Sequence, residues 1–432
     1  PGFDFKGPTH VSIGQEAVSA GSISALSQAD YITSSHRGHG DALSKCYFYI
    51  KSLSVEMLKE FLSRQADMGE FIERGPRPSD DIRSLQEKAL DLMVYRTICE
   101  LFGKAHGYCR GVGGSMHIAD FSVNHLGANA IVGGHMGIAA GAGMSSRYRE
   151  SGQAVLCLAG DGAYSNGISH EAMNLAAMAQ FKNGLMRRHF GVPVIFAIVN
   201  NQYGMSGQQR DEVTGVDFLA RRGAAYDNEA MHAEVVNGMD VLAVGDSVKR
   251  ALELIRSGEG PVLLEFMTYR FKGHSLHDPL SYRTREELNA WKKRDPVDNF
   301  AQKLMAAREG GPLLGKEDFT TLKKKVWDRN AAMARKSMEA SPPSPETILF
   351  GLYAERKKTA MPAEKKDSQT HERRTSKLGR DSEGKLNVRS ALREALIEEM
   401  ERDRRIILFG EDVAEYGGAF GVTAALLKRF GR

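Results

Sequence analysis

The chain has 432 residues, of which 42% are hydrophobic and 26% charged, enough apolar side chain for a sizeable core and too much for global disorder. Fifty-eight Lys and Arg stand against 54 Asp and Glu, a net charge of +4, which gives no nucleic-acid footprint over such a length. No apolar run approaches the ~20 residues of a membrane span, and the opening PGFDFKGPTH shows no charged leader before an apolar stretch, so neither a membrane anchor nor a signal peptide is expected.

A chain of this length predicts two to three domains. It begins without Met, as a clipped or processed chain would. Its four cysteines, Cys46, Cys99, Cys109 and Cys157, form no CxxC pair; this disfavours zinc and fits a reducing cytoplasm better than a disulfide scaffold.

In chain order, residues 84–103 predict an amphipathic helix with Leu85, Ala89, Leu92, Cys99 and Phe102 on one stripe. Residues 136–149, MGIAAGAGMSSRYR, predict a helix whose Gly137, Ala140, Gly141 and Gly143 suit close packing. AVLCLA (154–159) reads as a buried strand, HEAMNLAAMAQF (170–181) as a helix, and VIFAIV (194–199) and VLLEFM (262–267) as two more strands. Buried strands alternating with helices predict a doubly wound parallel α/β sheet with helices on both faces. The first domain is expected over 1–355 and a charged flexible linker over 356–384. A new unit is expected from 385, with a helical stripe at Val388, Leu392, Ala395 and Leu396 and a strand at Arg405–Phe409.

In such sheets ligands lie beyond the strands' C-terminal ends. The first strand is followed by Gly160-Asp161-Gly162, the second by Asn200-Asn201-Gln202-Tyr203-Gly204, the third by Tyr269 to His274. A lone carboxylate repels phosphate, but a carboxylate with Mg²⁺ holds one, because magnesium takes oxygen ligands and bridges to phosphate. Asn201 offers an amide oxygen and Tyr203 a backbone carbonyl. GDG alone is weak; GDG followed by NNxYG, each after a buried strand, is far more specific. GVGGS (111–115) is not a dinucleotide fingerprint, since no strand precedes it and its spacing is wrong. His106, His117, His125 and His135 fit no zinc spacing. Arg187-Arg188 and the linker charges read as solvated surface.

The pair GDG and NN resembles the thiamine-diphosphate signature. THVSIGQEA (9–17), SHRGHG (35–40), GYCRGVGGSMH (107–117) and KGHSLHDPLSYRTREEL (272–288) resemble the α subunit of 2-oxo acid dehydrogenase decarboxylase components, the family of the pyruvate, branched-chain 2-oxo acid and acetoin dehydrogenases. The likeness spans roughly 8–355. LFGEDVAEYGGAFGVT (408–423) resembles the start of the β subunit, so the chain looks like an α–β fusion whose β part, from 385 to 432, stops early.

The resemblance implies oxidative decarboxylation of a 2-oxo acid, with the acyl group passed to the lipoyl domain of an acyltransferase partner. It implies thiamine diphosphate and Mg²⁺ as cofactors, with Asp161, Asn201 and the Tyr203 backbone as metal ligands. Gly160, Gly162 and Ala163 would lie at the diphosphate. Arg37 and Arg270 would contact it. Ala130 and Val132 belong to the segment that holds the aminopyrimidine, although the family usually has Gly at position 130. His36 stands where some members have Tyr. His10, His39 and His274 match active-site histidines, with His274 the foremost for positioning substrate or lipoyl. The Gly137–Gly143 helix resembles the helix pair that joins halves of a tetramer, so self-association, or a β half completing an α2β2-like assembly, is expected. The family's activating glutamate is expected beyond Arg432, and Glu411 matches a different one; the chain alone is expected to bind cofactor weakly and to turn over little. Insertions are expected at 183–191 and around 60–92. The competing readings are another thiamine enzyme of transketolase type and a non-catalytic assembly protein of the same fold.

Overall fold

The computed structural model describes residues 9–65, 76–77, 79–178, 191–226, 231–306, 310–349 and 382–431. The chain divides into two compact units, 1–349 and 350–432.

The first unit is built on strands β1 (Tyr31–Ser35), β2 (His125–Asn129), β3 (Val155–Gly160), β4 (Val194–Asn200), β7 (His232–Asn237) and β8 (Val262–Met267); β5 (Tyr203–Gly204) and β6 (Gly207–Gln208) make a small separate hairpin. The main sheet runs β2-β1-β3-β4-β8-β7, and every pair in it is parallel. The order steps one way from β1 to β2 and the other way to β3 and β4. The topological switch therefore falls between β1 and β3, where loops diverge and leave a crevice.

Successive side chains of a strand point to opposite faces. Val155, Cys157 and Ala159 of β3 pack with Val194, Phe196 and Ile198 of β4 under α5 (Gly134–Tyr148) and α6 (Gly167–Ala177). Leu156 and Leu158 pack with Ile195, Ala197 and Leu264 under α1 (Glu16–Ser24) and α8 (Val241–Ser257). Covering both faces explains why β3, β4 and β8 are mostly apolar, with Glu265 the one acid among them, and the expected doubly wound α/β sheet is what the chain forms. β1 (YITSS) and β2 (HLGAN) are mostly polar or small, and β7 is an edge strand with a largely exposed face; none shows the apolar run that betrays a buried strand.

Gly143 lets α5 lie down on the sheet, since a Cβ there would meet Val194 Cγ2 at 2.6 Å, whereas Gly137 and Gly141 face open space. The predicted 84–103 helix is α4 (Ile82–Leu101), capped by Asp81, which accepts from Ser84 N at 2.8 Å. It packs against α2 (His39–Ser52), α3 (Val55–Arg64) and α11 (Lys316–Glu339), so Leu90, Met93 and Tyr95 are buried beside the expected stripe. Helices α7 (Gly223–Tyr226), α9 (Arg285–Lys292) and α10 (Pro296–Met305) complete the unit. The helix expected to reach 181 ends at Ala177, with Met178 already extended. No described helix is long and apolar enough to cross a membrane.

In the second unit α12 (Val388–Arg402) carries the expected stripe and α13 (Leu426–Phe430) follows. The strand expected at Arg405–Phe409 is not formed. Asp403 accepts from the backbone and guanidinium of Arg405 and sets a turn, while Ile407 and Phe409 are exposed. A strand exists only with a ladder partner, and the described residues of this unit supply none. The expected linker at 356–384 and the insertion at 183–191 fall almost wholly outside the described residues, as do Arg187-Arg188.

Candidate active site

Four strands of the sheet deliver polar groups beyond their C-terminal ends. β1 runs into His36 and Arg37, β3 into Asp161, β4 into Asn201, and β8 into Arg270. Their loops enclose a cavity of about 300 Å³, lined among others by Arg37, Asp161, Asn201, Arg270 and His274. Gly160, Gly162, Ala163, Tyr203, His36 and Val132 also line it. His10, His39 and Ala130 do not.

Asp161 is 1% exposed, and its Oδ2 has no hydrogen-bond partner. Burial pushes its carboxyl up to about 6, against the pull of backbone N–H groups and of Arg270. A buried carboxylate oxygen left unpaired is costly, and a cation would relieve it. Asn201 is buried beside it, and its Oδ1 makes only a long 3.3 Å contact with Tyr203 N. The chain turns between them at Gln202, whose φ is +74°. A Cβ on Gly162 would sit 3.1 Å from Gly204 Cα, and one on Gly204 would sit 2.9 Å from Val213 Cγ2, so glycine at both positions eases the close packing of the GDG and NNQYG loops. One carboxylate, one carboxamide and one backbone carbonyl are hard oxygen donors, and the set fits Mg²⁺.

Opposite lie two buried guanidiniums, and among the described residues neither pairs with a carboxylate. Arg37 donates to the carbonyls of Val11 (3.0 Å) and His274 (2.8 Å); burial and then Arg270 lower it to about 10. Arg270 donates to Tyr282 Oη at 2.8 Å and to the Met205 carbonyl, and its Nε has no partner. Buried positive forks with spare donors form an anion site.

His10, His36 and His274 cluster at the same end, with ring centroids 4.8, 4.8 and 5.4 Å apart. Their nitrogens lie within 4.8 Å of one another, the spacing of a three-imidazole metal site. Yet Arg37 Nη2 is 3.5 Å from His274 Nδ1. Burial, then Arg37, holds all three rings below the usual histidine range, His36 at about 3 and His274 at about 4. That field opposes a cation and favours an anion held by neutral imidazoles. His39, at the start of α2, is not among the residues that line the cavity; burial, then Arg37 and His10, lowers it to about 4, and its Nδ1 has no partner. The four histidines 106, 117, 125 and 135 form no such grouping among the described residues. His106 bonds Tyr95 Oη at 2.7 Å, and His135 bonds the Leu158 carbonyl at 3.0 Å.

Two acids organise the loops: Asp278, inside the KGHSLHDPLSYRTREEL stretch but given no role there, and Glu100, which no motif singled out. Asp278 accepts from His274 N (2.6 Å), Leu280 N (2.9 Å) and Tyr282 Oη (2.6 Å), clipping the loop that carries His274. Arg283 donates to the carbonyls of Arg270 and Lys272, both at 2.7 Å. Glu100, fully buried at the end of α4, accepts from the backbone N–H of Cys109 (2.7 Å), Gly111 (3.1 Å), Gly113 (3.1 Å) and Gly114 (2.8 Å). The glycines of GVGGS thus wrap a carboxylate of the protein itself. A lone acid on an apolar helix stripe, just before a glycine-rich loop, was the available signal.

The family model for the dehydrogenase E1 component matches residues 85–309. The α subunit of acetoin:2,6-dichlorophenolindophenol oxidoreductase from Bacillus subtilis is 31% identical over 363 residues, 84% of this chain and 87% of that one. The mitochondrial pyruvate dehydrogenase E1 component α subunit of Dictyostelium discoideum is 31% identical over 350 residues, 81% of this chain and 75% of its own. The pyruvate dehydrogenase E1 component α subunit of Zymomonas mobilis is 39% identical over 213 residues, 49% of this chain and 55% of its own. On its parallel sheet, its switch-point cavity and these likenesses, the chain belongs to the dehydrogenase E1 component family, as an α-type member.

Proposed function

We propose that the chain is the cofactor-binding half of a 2-oxo acid dehydrogenase, taking thiamine diphosphate and Mg²⁺ in the switch-point cavity. The observation that carries this reading is the unpartnered, buried oxygen of Asp161, set beside Asn201 and facing two guanidiniums. Asp161, Asn201 and the Tyr203 carbonyl would hold the metal. Arg37 and Arg270 would bind the diphosphate oxygens, and Gly160, Gly162 and Ala163 would let them approach the backbone. The segment of Ala130 and Val132 would support the aminopyrimidine, with Val132 at the cavity wall. When bound, thiamine diphosphate supplies an electron sink through which a 2-oxo acid loses carbon dioxide.

His10, His36 and His274 would orient the substrate's carboxylate as neutral imidazoles through their N–H groups; His39 would support them. The acyl group would leave for a lipoyl-bearing acyltransferase. A β chain would complete an α2β2-like assembly, and the open glycine face of α5 at Gly137 and Gly141 is a surface on which a second helix could pack closely. The β-like reading of 385–432 rests on LFGEDVAEYGGAFGVT. Four free thiols suit a reducing cytoplasm.

Calorimetric titration with Mg²⁺ and thiamine diphosphate tests the reading. The chain should bind, weakly by itself and more tightly with a β chain present, and Asp161→Asn should abolish the heat. With a β chain and a dye acceptor, 2-oxo acids should turn over and sugar phosphates should not. No heat at all, or turnover of sugar phosphates alone, would refute it.

A further inference from the structure

β8 has the sequence VLLEFM, and its single acid, Glu265, is fully buried in a strand paired on both sides. Among the described residues it forms no ion pair with Lys, Arg or His. A carboxylate there is expensive unless both oxygens are bonded. Both are. Oε1 accepts from Asn200 Nδ2 at 2.6 Å, and Oε2 accepts from the Ala220 backbone N–H at 2.8 Å.

Each partner leads to one side of the metal corner. Asn200 Oδ1 accepts from Gln202 N at 3.0 Å, the residue of positive φ that aims Asn201 and Tyr203. Gln209, bonded to Asn200 Nδ2 through its Oε1 at 3.3 Å, also donates its backbone N–H to the Gln202 carbonyl at 2.8 Å. On the other side, Ala220 belongs to the short helical turn Leu219–Arg222, and Arg222 donates to the Tyr164 carbonyl. Tyr164 lies in the Asp161–Ser165 turn, the one that carries the metal-binding carboxylate. One buried acid on β8 therefore braces both the Asn201–Tyr203 turn and, through Arg222, the Asp161 turn.

We propose that Glu265 is a positioning residue that sets the spacing of the oxygen donors around the divalent ion. It acts through Asn200 and the 219–222 turn and touches neither metal nor cofactor. This rests on the reading of Asp161, Asn201 and Tyr203 as metal donors.

The test is Mn²⁺ affinity of the full chain, read by electron paramagnetic resonance with thiamine diphosphate present. Both neighbours of Glu265 are donors, so in Glu265→Gln one of them must face an amide NH₂. Affinity should fall about tenfold while the circular dichroism spectrum is kept. Pairing Glu265→Gln with Asn200→Asp restores donor against acceptor at both contacts of residue 265 but sets an oxygen of residue 200 against Gln209 Oε1, so it should recover only part of the loss. Glu265→Asp, which keeps the acceptors but withdraws them by a methylene, should lose a few-fold, and decides the matter if Glu265→Gln does not fold. A lower thermal midpoint with unchanged Mn²⁺ affinity in Glu265→Gln and Glu265→Asp would overturn the proposal. If Asp161→Asn also leaves Mn²⁺ affinity unchanged, the metal corner itself falls; if only the Glu265 variants are silent, the positioning role alone falls.

Discussion

His125 is fully buried with neither ring nitrogen bonded, and burial holds it down at about 3; His135, bonded to a backbone carbonyl, sits at about 4, again mainly by burial. In the unfolded chain both would titrate near 6.5. Below that pH the unfolded state takes up protons that the folded state refuses, so stability drains away as pH falls from 6.5 toward 4 and is fully present above 6.5. His125→Phe removes one such group. Denaturation midpoints measured from pH 7 to pH 5 should fall less steeply in the variant, and an identical slope would contradict this account. At this scale strand ends and glycines mark Asp161 and Asn201 in the sequence, whereas Arg37 and Arg270 come from the family resemblance, Arg37 lying after a strand whose sequence does not announce it. The sequence does not reveal that His36 faces the cavity and His39 does not. They stand three residues apart, His36 in the turn before α2 and His39 at its first residue, and only packing decides which ring turns inward.

Glu100 shows how an element is finished by one side chain. It is the last buried acid of α4, and four loop N–H groups converge on it. Glu100→Gln keeps the shape but leaves one acceptor oxygen for four donors, so it should cost about 2–4 kcal/mol. Hydrogen exchange should rise at residues 109–114 before it rises in the sheet; uniform exchange would argue that the loop holds itself. Strands β3, β4 and β8 are legible as apolar runs because both faces are covered. β1, β2 and β7 are not, since polar or small residues suffice where a strand is short or at an edge. The RIILF segment errs in the other direction. Its composition suits a strand, but pairing is a property of the neighbours, and its turn is set by Asp403 and Arg405.

Over the whole molecule, the parallel order places β1, β3, β4 and β8 so that acid, amide and two guanidiniums meet at one crevice, though they are spread from residue 37 to residue 270. Alternating strands and helices make that architecture legible, because parallel strands need crossovers and the C-terminal loops are then forced to one edge. The bracing by Glu265 is not legible, since hydrogen bonds between segments far apart in the chain leave no local pattern. The central claim is that Asp161, Asn201 and the Tyr203 carbonyl share one divalent ion. Anomalous diffraction from crystals grown with Mn²⁺ and thiamine diphosphate measures this directly. The account predicts a manganese peak bounded by those three oxygens; no peak there, or a peak among His10, His36 and His274 instead, would contradict it.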